Sequence, residues 1–266
     1  CVGLGPGDVR ITWRTVRGIL GAIFGVTHEA GHAIYSQGAP PRYDWMSPVG
    51  LIYSLGIHES QSRGNENFVC RSRPFWERYL PRLKNLFPQL EPVTLDEFVA
   101  AINTCRPTFI RVEADEATYN AHIWIRWVIE RELMNRTLKV TEYPDRFNGL
   151  MQEVLGITPP DNGVSGCMQD IHHSGGLVGY FGTYSGGNLA GAQYAAKFRE
   201  VNPDWEAQFR AGNFEPYRMF MRTNVHETGY TDTLNESLER VTGKPLSIDA
   251  WKRHIMERVG PVYNLN

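Results

Sequence analysis

The sequence predicts a mainly α-helical protein with a small β element, and three observations support that prediction. Apolar residues recur at three- and four-residue spacing over long stretches of the chain, which is the period of an amphipathic helix. Helix-starting and helix-ending residues stand at the ends of these stretches. The best strand candidate is short: "DVRITW" (8–13) alternates polar and apolar residues.

The predicted helices follow one another along the first part of the chain. The first covers 16–37 and ends at Gly38, which two prolines follow closely. Residues 48–72 predict a second long helix. Pro74 fits the first turn of a third helix over 74–87, because proline is tolerated there.

Capping residues mark several of the later helices. Thr94 and Glu97 form a capping box for a helix over 95–105. Residues 115–135 predict a long helix that is apolar enough to be mostly buried. Ser247 is a suitable N-cap for the last helix of the chain.

A stretch rich in glycine and proline and a second, glycine-rich stretch interrupt the helical pattern. Residues 155–166 and 172–188 are predicted loops, and helices are expected to resume from about Leu189. The chain shows no internal repeat and no clear linker. We therefore expect residues 1–266 to form one domain.

Composition limits the class of protein. Hydrophobic residues make up 42% of the chain and charged residues 21%, as in globular proteins. The net charge of −2 argues against a nucleic-acid partner, and no apolar run is long enough to span a membrane. Four well-separated cysteines predict free thiols in a reducing compartment. Because the chain begins with Cys1 rather than Met, we expect it to be part of a longer protein.

The stretch "HEAGH" (28–32) is the strongest candidate for chemistry. On a helix, His28 and His32 lie on one face and can direct two imidazole nitrogens at one metal ion about 2 Å away. Glu29 flanks that point and is placed to take a proton from an attacking water. The alternative is a pair of ordinary helix histidines, which the apolar neighbouring residues disfavour because burial without partners is costly.

A catalytic zinc ion needs a third protein ligand, and the predicted second helix offers two candidates. His58 and Glu59 are adjacent, so their side chains point about 100° apart and only one can face the metal. Glu59 is favoured, since two histidines and one carboxylate are a common hydrolase set. His58 is then a further ligand or a neighbour of the metal, and it is a candidate for contact with substrate.

At this point the chain resembles the carboxypeptidase Taq family of thermostable metallocarboxypeptidases. Five stretches carry the resemblance in the family's order: "DVRIT" (8–12), "HEAGH" (28–32), "GIHESQSR" (56–63), "IRVEADEATYN" (110–120) and "GCMQDIHHSGG" running into "GYFGTY" (166–184). Members of that family are longer, and this sequence resembles their C-terminal half.

The resemblance implies a function and a fold. It implies His28, His32 and Glu59 as ligands of one zinc ion per chain, with cobalt as an alternative, and Glu29 as general base. It also implies an almost all-helical bundle of the neurolysin and angiotensin-converting-enzyme type, a homodimer and a cytoplasmic location. Peptides would be the substrates, with neither nucleic acid nor membrane as a partner.

A carboxypeptidase must recognise a free α-carboxylate, for which arginine is best suited. Arg111 is the first candidate and Arg10 the second. Both also have structural interpretations: Arg111 pairs with Asp115 four residues on, and Arg10 pairs across an edge strand.

Peptide hydrolysis also develops negative charge on the carbonyl oxygen, which donors must stabilise. By similarity to the wider group of helical zinc peptidases, Tyr184 is the expected oxyanion donor, while His172 and Tyr180 hold the substrate backbone. Core packing is the alternative role of the tyrosines. Gln169 and Asp170 are expected to orient the loop and His172.

The chain departs from the family pattern at a few positions. His173 stands where tryptophan is usual, Gly182 where proline is usual, and Gly64 and Asn65 where larger residues are usual. A further glycine occurs in "SGGN" (185–188). Because glycine removes packing contacts and adds backbone freedom, we expect a looser substrate cleft.

The leading functional hypothesis is therefore a metallocarboxypeptidase of broad specificity that releases one C-terminal residue per cycle. Two alternatives remain open at this point. One is an oligo-endopeptidase with the same zinc chemistry. The other is a metal-binding remnant or interaction module without catalytic activity.

Overall fold

The residues described by the computed structural model form two compact units. Unit 1 comprises Cys1–Ile102 and Gly186–Asn266, and unit 2 comprises Asn103–Ser185. Compact units of this kind also occur inside single domains, so one domain over the whole chain stays a prediction. The described residues are 2–5, 7–13, 18–38, 47 and 54–265.

Helices dominate the described part of the chain. Two short strands, β1 (Val2–Gly5) and β2 (Asp8–Arg10), pair antiparallel near its start. The mainly α-helical class with a small β element is confirmed. The helices are α1 (Gly18–Gln37), α2 (Leu55–Arg63), α3 (Arg73–Leu86), α4 (Leu95–Ile102), α5 (Glu116–Met134), α6 (Tyr143–Leu155), α7 (Gly182–Val201), α8 (Trp205–Arg210), α9 (Glu215–Asn224), α10 (Leu234–Thr242) and α11 (Asp249–Val259).

The second predicted helix, 48–72, is observed as two connected pieces. α2 begins at Leu55, with the side chain of Ser54 accepting a hydrogen bond at its N-terminus. It then continues into a π-helical segment, Gly64–Cys70. Such segments are rare and often lie at functional sites. Residues 48–53 of the prediction lie outside the described residues.

A large apolar core holds unit 1 together. Its buried aromatic side chains come from α1 and from helices much later in the chain, so burial fixes α1 against the C-terminal region. These side chains are Tyr35, Tyr194, Phe198, Phe209 and Tyr217.

Unit 2 is built on one face of α5 packed against one face of α6. Ile125 and Ile129 of α5, spaced four residues apart, are fully buried together with Phe147, Leu150 and Met151 of α6. Residues at this spacing lie on one helix face. The predicted helix 115–135 is confirmed as α5, whereas α6 was not singled out from the sequence.

Asp115 begins α5 as an N-cap. Its carboxylate accepts hydrogen bonds from the backbone N–H groups of Ala117 and Thr118, both at 2.9 Å. We expect Asp115→Ala to lower the free energy of unfolding by about 1 kcal/mol, because both N–H groups lose their acceptor. Urea denaturation followed by circular dichroism measures the change. Asp115→Asn is the control, since asparagine caps equally well, and equal stability of all three proteins would contradict the capping role.

Helix α7 begins earlier than the sequence predicts. It starts at Gly182 rather than about Leu189, within the predicted glycine-rich loop. Glycine disfavours helix by up to about 1 kcal/mol per residue, so propensity pointed to a loop. The prediction was wrong because α7 packs closely against Glu59 of α2 at Gly187, where only glycine fits in the helix.

The expected free thiols have a structural counterpart. Cys70 and Cys167 are buried free thiols, and burial raises the pKa of Cys70 to about 12. Among the described helices, none combines the length and the apolar composition needed to cross a membrane.

Candidate metal centre

The predicted metal ligands come together in unit 1. His28 and His32 lie one turn apart on α1, and Glu59 approaches from α2. Nε2 of His28 is 3.9 Å from one carboxylate oxygen of Glu59, and Nε2 of His32 is 3.4 Å from the other. One ligand atom from each residue lies within 4.8 Å of the others.

These three side chains fit a divalent metal. In a tetrahedral zinc site, ligand atoms at 2.0–2.2 Å from the ion lie about 3.3–3.6 Å from one another. The separation of 3.4 Å between His32 and Glu59 falls in this range, and the separation of 3.9 Å between His28 and the other oxygen of Glu59 is slightly longer. Burial alone would raise the pKa of Glu59, but the neighbouring histidines and Arg63 outweigh it and lower the pKa to about 2. The carboxylate is therefore ionised, as a metal ligand must be.

The outer nitrogens of both histidines have partners that set their orientation. Nδ1 of His32 lies 3.0 Å from the backbone carbonyl oxygen of His58, which can only accept a hydrogen bond. Nδ1 of His28 lies 3.0 Å from a carboxylate oxygen of Glu66. Each histidine can thus donate from Nδ1 and keep the lone pair of Nε2 for a metal.

His58 contacts Nδ1 of His32, whereas Glu59 lies near Nε2 of the same ring. The two Nδ1 atoms are 2.5 Å apart, and Nε2 of His58 is 3.4 Å from the hydroxyl of Ser36. Burial, assisted by the positive charge that His32 can carry, lowers the pKa of His58 to about 4, so the ring is neutral at physiological pH. Of the two alternatives left open, this position favours a neighbour of a ligand. Contact with substrate stays a prediction.

Glu29 follows His28 on α1 and is half-buried. It is not part of the candidate ligand group, which consists of His28, His32 and Glu59. The assignment of Glu29 as general base stays a prediction.

Glycines let three helices approach closely around these ligands. A Cβ atom on Gly31, inside "HEAGH", would lie 2.6 Å from the Cα atom of Ser62 in α2. A Cβ atom on Gly187 of α7 would lie 2.6 Å from Cβ and 2.8 Å from Cγ of Glu59. The further glycine of "SGGN" therefore fits tightly against a ligand, and sequence reasoning had associated it with a looser cleft.

Gly187→Ala is expected to displace Glu59 and to weaken metal binding at least about 10-fold, with a loss of stability of about 1–3 kcal/mol from overpacking. Isothermal titration with zinc and urea denaturation measure the two effects. The matched control is Gly186→Ala, where a Cβ atom would meet only Leu234 at an ordinary 3.5 Å. Equal metal affinity of the two variants would rule out this packing role of Gly187.

Unit 2 brings several of the other predicted residues together around one partly buried carboxylate, that of Asp170. Asp170 accepts hydrogen bonds from Nε of Arg111 at 2.8 Å and from Nε of Arg126 at 2.5 Å. Arg111 also donates to the hydroxyl of Tyr119 at 2.7 Å. The suggested pairing of Arg111 with Asp115 is therefore wrong, because Asp115 is occupied in capping α5.

The environment of Asp170 favours its charged form. Burial alone would raise its pKa, but Arg126 and Arg111 more than offset this and lower it. Nδ1 of His172 lies 4.0 Å from Asp170, which is longer than a hydrogen bond. The hydrogen bonds of this carboxylate go to the two arginines. Arg126 was missed from the sequence, although a charged residue inside the apolar stretch 115–135 was a usable signal.

His172, Tyr180 and Tyr184 also cluster within unit 2. Nε2 of His172 lies 3.0 Å from the hydroxyl of Tyr184, and its ring lies 5.2 Å from that of Tyr180. Burial, with Arg111 adding to it, lowers the pKa of His172, which favours the neutral imidazole. Arg10, by contrast, lies on β2 in unit 1 with an exposed side chain that pairs with Asp8. The roles of all four residues in binding or catalysis stay predictions.

Two of the unusual positions have local structural reasons. Nε2 of His173 lies 3.0 Å from a carboxylate oxygen of Glu130, which also accepts from the backbone N–H of Gly179. A Cβ atom on Gly64 would lie 2.5 Å from the hydroxyl of Tyr217. Glycine at position 64 therefore leaves room for the Tyr217 hydroxyl at the start of the π-helical segment.

Residues 1–259 match the family model described as carboxypeptidase Taq (M32) metallopeptidase. The chain belongs to this family. The expected resemblance is confirmed along nearly the whole sequence.

Two named carboxypeptidases are similar to this chain, in agreement with its membership. Thermostable carboxypeptidase 1 of Thermus thermophilus is 41% identical over 98% of this chain and 51% of its own length. Carboxypeptidase 1 of Bacillus subtilis is 39% identical over 92% of this chain and 49% of its own length. The chain thus spans about half the length of the curated relatives it matches.

A solved structure supports the fold. The crystal structure of the M32 carboxypeptidase from Deinococcus radiodurans R1 is similar with a TM-score of 0.88 at 37% identity. The similarity covers 92% of this chain and 50% of that one. The helical fold is thus shared with an M32 carboxypeptidase.

Proposed function

We propose that this chain is the catalytic part of a metal-dependent carboxypeptidase that releases single C-terminal residues from peptides with broad specificity. The convergence of His28, His32 and Glu59, in a chain that belongs to a metallopeptidase family, carries the proposal. Two imidazoles and one carboxylate leave an open coordination position in a catalytic site.

Zinc is the proposed ion, one per chain, with cobalt as an alternative that takes similar ligands. When bound, such an ion supplies a Lewis acid that polarises the peptide carbonyl group. The residues that would hold it are His28 and His32, each through Nε2, and Glu59 through its carboxylate. Glu29 takes the proton of the attacking water and delivers it to the leaving amine.

The remaining predicted residues act on the substrate in this proposal. Tyr184 donates a hydrogen bond to the oxygen on which negative charge develops, and neutral His172 and Tyr180 hold the peptide backbone. Arg111 binds the α-carboxylate, with Arg10 as second candidate. The residues of unit 2 support this role by their mutual contacts: Asp170 orients Arg111, and His172 and Tyr184 are in hydrogen-bond contact.

The wider setting is also part of the proposal. We propose a cytoplasmic homodimer that acts on peptides and has neither nucleic acid nor membrane as a partner. The near-neutral net charge of −2 agrees with the absence of a nucleic-acid role.

The deciding experiment compares two peptides with the full chain loaded with zinc or cobalt. One is an N-blocked dipeptide with a free α-carboxylate, and the other is the same dipeptide with an amidated C-terminus. We expect mass spectrometry to detect release of the last residue from the free acid alone. Equal cleavage of the amide would indicate an oligo-endopeptidase instead of a carboxypeptidase. Metal uptake without cleavage of either peptide would indicate a metal-binding remnant without catalytic activity.

A further inference from the structure

We propose that Glu66 is a positioning residue that holds the metal ligand His28 in its metal-binding tautomer. This proposal rests on the metal site of the proposed function, and it concerns a residue that sequence reasoning missed. Glu66 lies seven residues after Glu59, inside the π-helical segment, and is 9% exposed.

The geometry of Glu66 sets the position of the proton on His28. One carboxylate oxygen of Glu66 lies 3.0 Å from Nδ1 of His28. An ionised carboxylate only accepts hydrogen bonds, so Nδ1 must carry the proton of a neutral imidazole. The lone pair then belongs to Nε2, the atom that faces Glu59 at 3.9 Å.

Two arginines hold the carboxylate of Glu66 in place. Arg63 donates from NH1 to the same oxygen of Glu66 at 3.1 Å, and Arg71 lies 3.5 Å from the other oxygen. Arg63 also donates from Nε to Glu59 at 3.0 Å, so a single guanidinium links the ligand carboxylate to the positioning carboxylate. The two carboxylates and two arginines balance in charge, which lowers the cost of burying them.

Two roles of Glu66 differ in their effect on the metal: positioning of His28, and simple balance of the charges of two arginines. If Glu66 served only as the counter-charge of Arg63 and Arg71, its neutral variant would destabilise the fold without a specific effect on the metal. A carboxylate that orients a histidine ligand commonly contributes 10–100-fold to metal affinity.

The test compares Glu66→Gln with Asp115→Ala, a control that costs stability at the start of α5 and replaces none of the candidate metal ligands. Zinc affinity is measured by competition with a chromophoric chelator, and the unfolding of the metal-free proteins by urea. We expect Glu66→Gln to bind zinc about 10–100-fold more weakly and Asp115→Ala to bind it like the wild type, although both lose stability. Wild-type affinity in Glu66→Gln would overturn the proposal.

A second measurement uses the wild-type chain and does not depend on a variant that folds. Nitrogen NMR of the metal-free protein at alkaline pH, where the imidazole is neutral, reports which ring nitrogen of His28 carries the proton. We expect the Nδ1–H tautomer, and the Nε2–H tautomer would overturn the proposal. If the wild type bound no zinc, the proposed function would fail, while this tautomer result would still decide the role of Glu66.

Discussion

Asp170→Asn is expected to lower the free energy of unfolding by about 3–5 kcal/mol, because it leaves two buried arginines without their counter-charge. Arg111 and Arg126 are 4% and 1% exposed, and both donate through Nε to this one carboxylate. NH2 of Arg126 already has no hydrogen-bond partner among the described residues. The loss of charge therefore falls on a cluster in which one guanidinium nitrogen is already unsatisfied.

Urea denaturation followed by near-ultraviolet circular dichroism measures this change. The matched control is Asp145→Asn, which removes the same charge from an exposed position in the first turn of α6. We expect the control to change stability by no more than about 0.5 kcal/mol, as surface substitutions usually do. If Asp170→Asn behaved like the control, the two arginines would have another source of neutralisation, and the structural role of Asp170 would be disproved.

Glu29→Gln is expected to lower the rate of peptide hydrolysis by about 10²–10⁴-fold, because an amide cannot take up the proton of the attacking water. Glutamine keeps the size and polarity of glutamate, so helix α1 and the ligands His28 and His32 stay in place. Zinc affinity is therefore expected to be unchanged. Steady-state kinetics on the N-blocked dipeptide and chelator competition measure the two quantities.

The control for this variant is Glu239→Gln, an exposed glutamate of α10, which should hydrolyse the dipeptide at the wild-type rate. Two results would contradict the role of Glu29. Activity close to that of the control would show that another group takes the proton. A parallel loss of zinc would show that Glu29 supports the metal rather than the reaction.

Much of the local structure follows from the sequence. Spacing of four residues is enough to put His28 and His32 on one helix face, since the helical period is a property of the backbone. Capping chemistry is equally local. The predicted Thr94–Glu97 box is observed, with Thr94 donating its backbone N–H to Glu97 at 2.8 Å. Ser247 is displaced by one position: the structure has Ile248 as N-cap of α11, while the Ser247 hydroxyl accepts from the N–H of Asp249.

Contacts between helices could not be read from spacing. Arg111 pairs with Asp170, 59 residues away, and no sequence rule separates that partner from the nearby Asp115. Glu66 contacts His28 and Arg63 contacts Glu59. Glutamate and arginine are nevertheless common on exposed helix surfaces, so their types alone did not single them out. The burial and direction of a side chain are set only when helices pack, so the roles of these residues follow from the tertiary structure alone.

The order of residues along one short segment thus determined the helix that carries His28 and His32 and their candidate chemistry. The reason is that hydrogen bonds within a helix fix the direction of each side chain. The choice between His58 and Glu59 as third ligand depended on how α2 is rotated against α1. Close packing at Gly31 and Gly187 sets that rotation, since a side chain at either position would collide with α2. Such a contact joins residues far apart in the chain, and only the folded protein contains it.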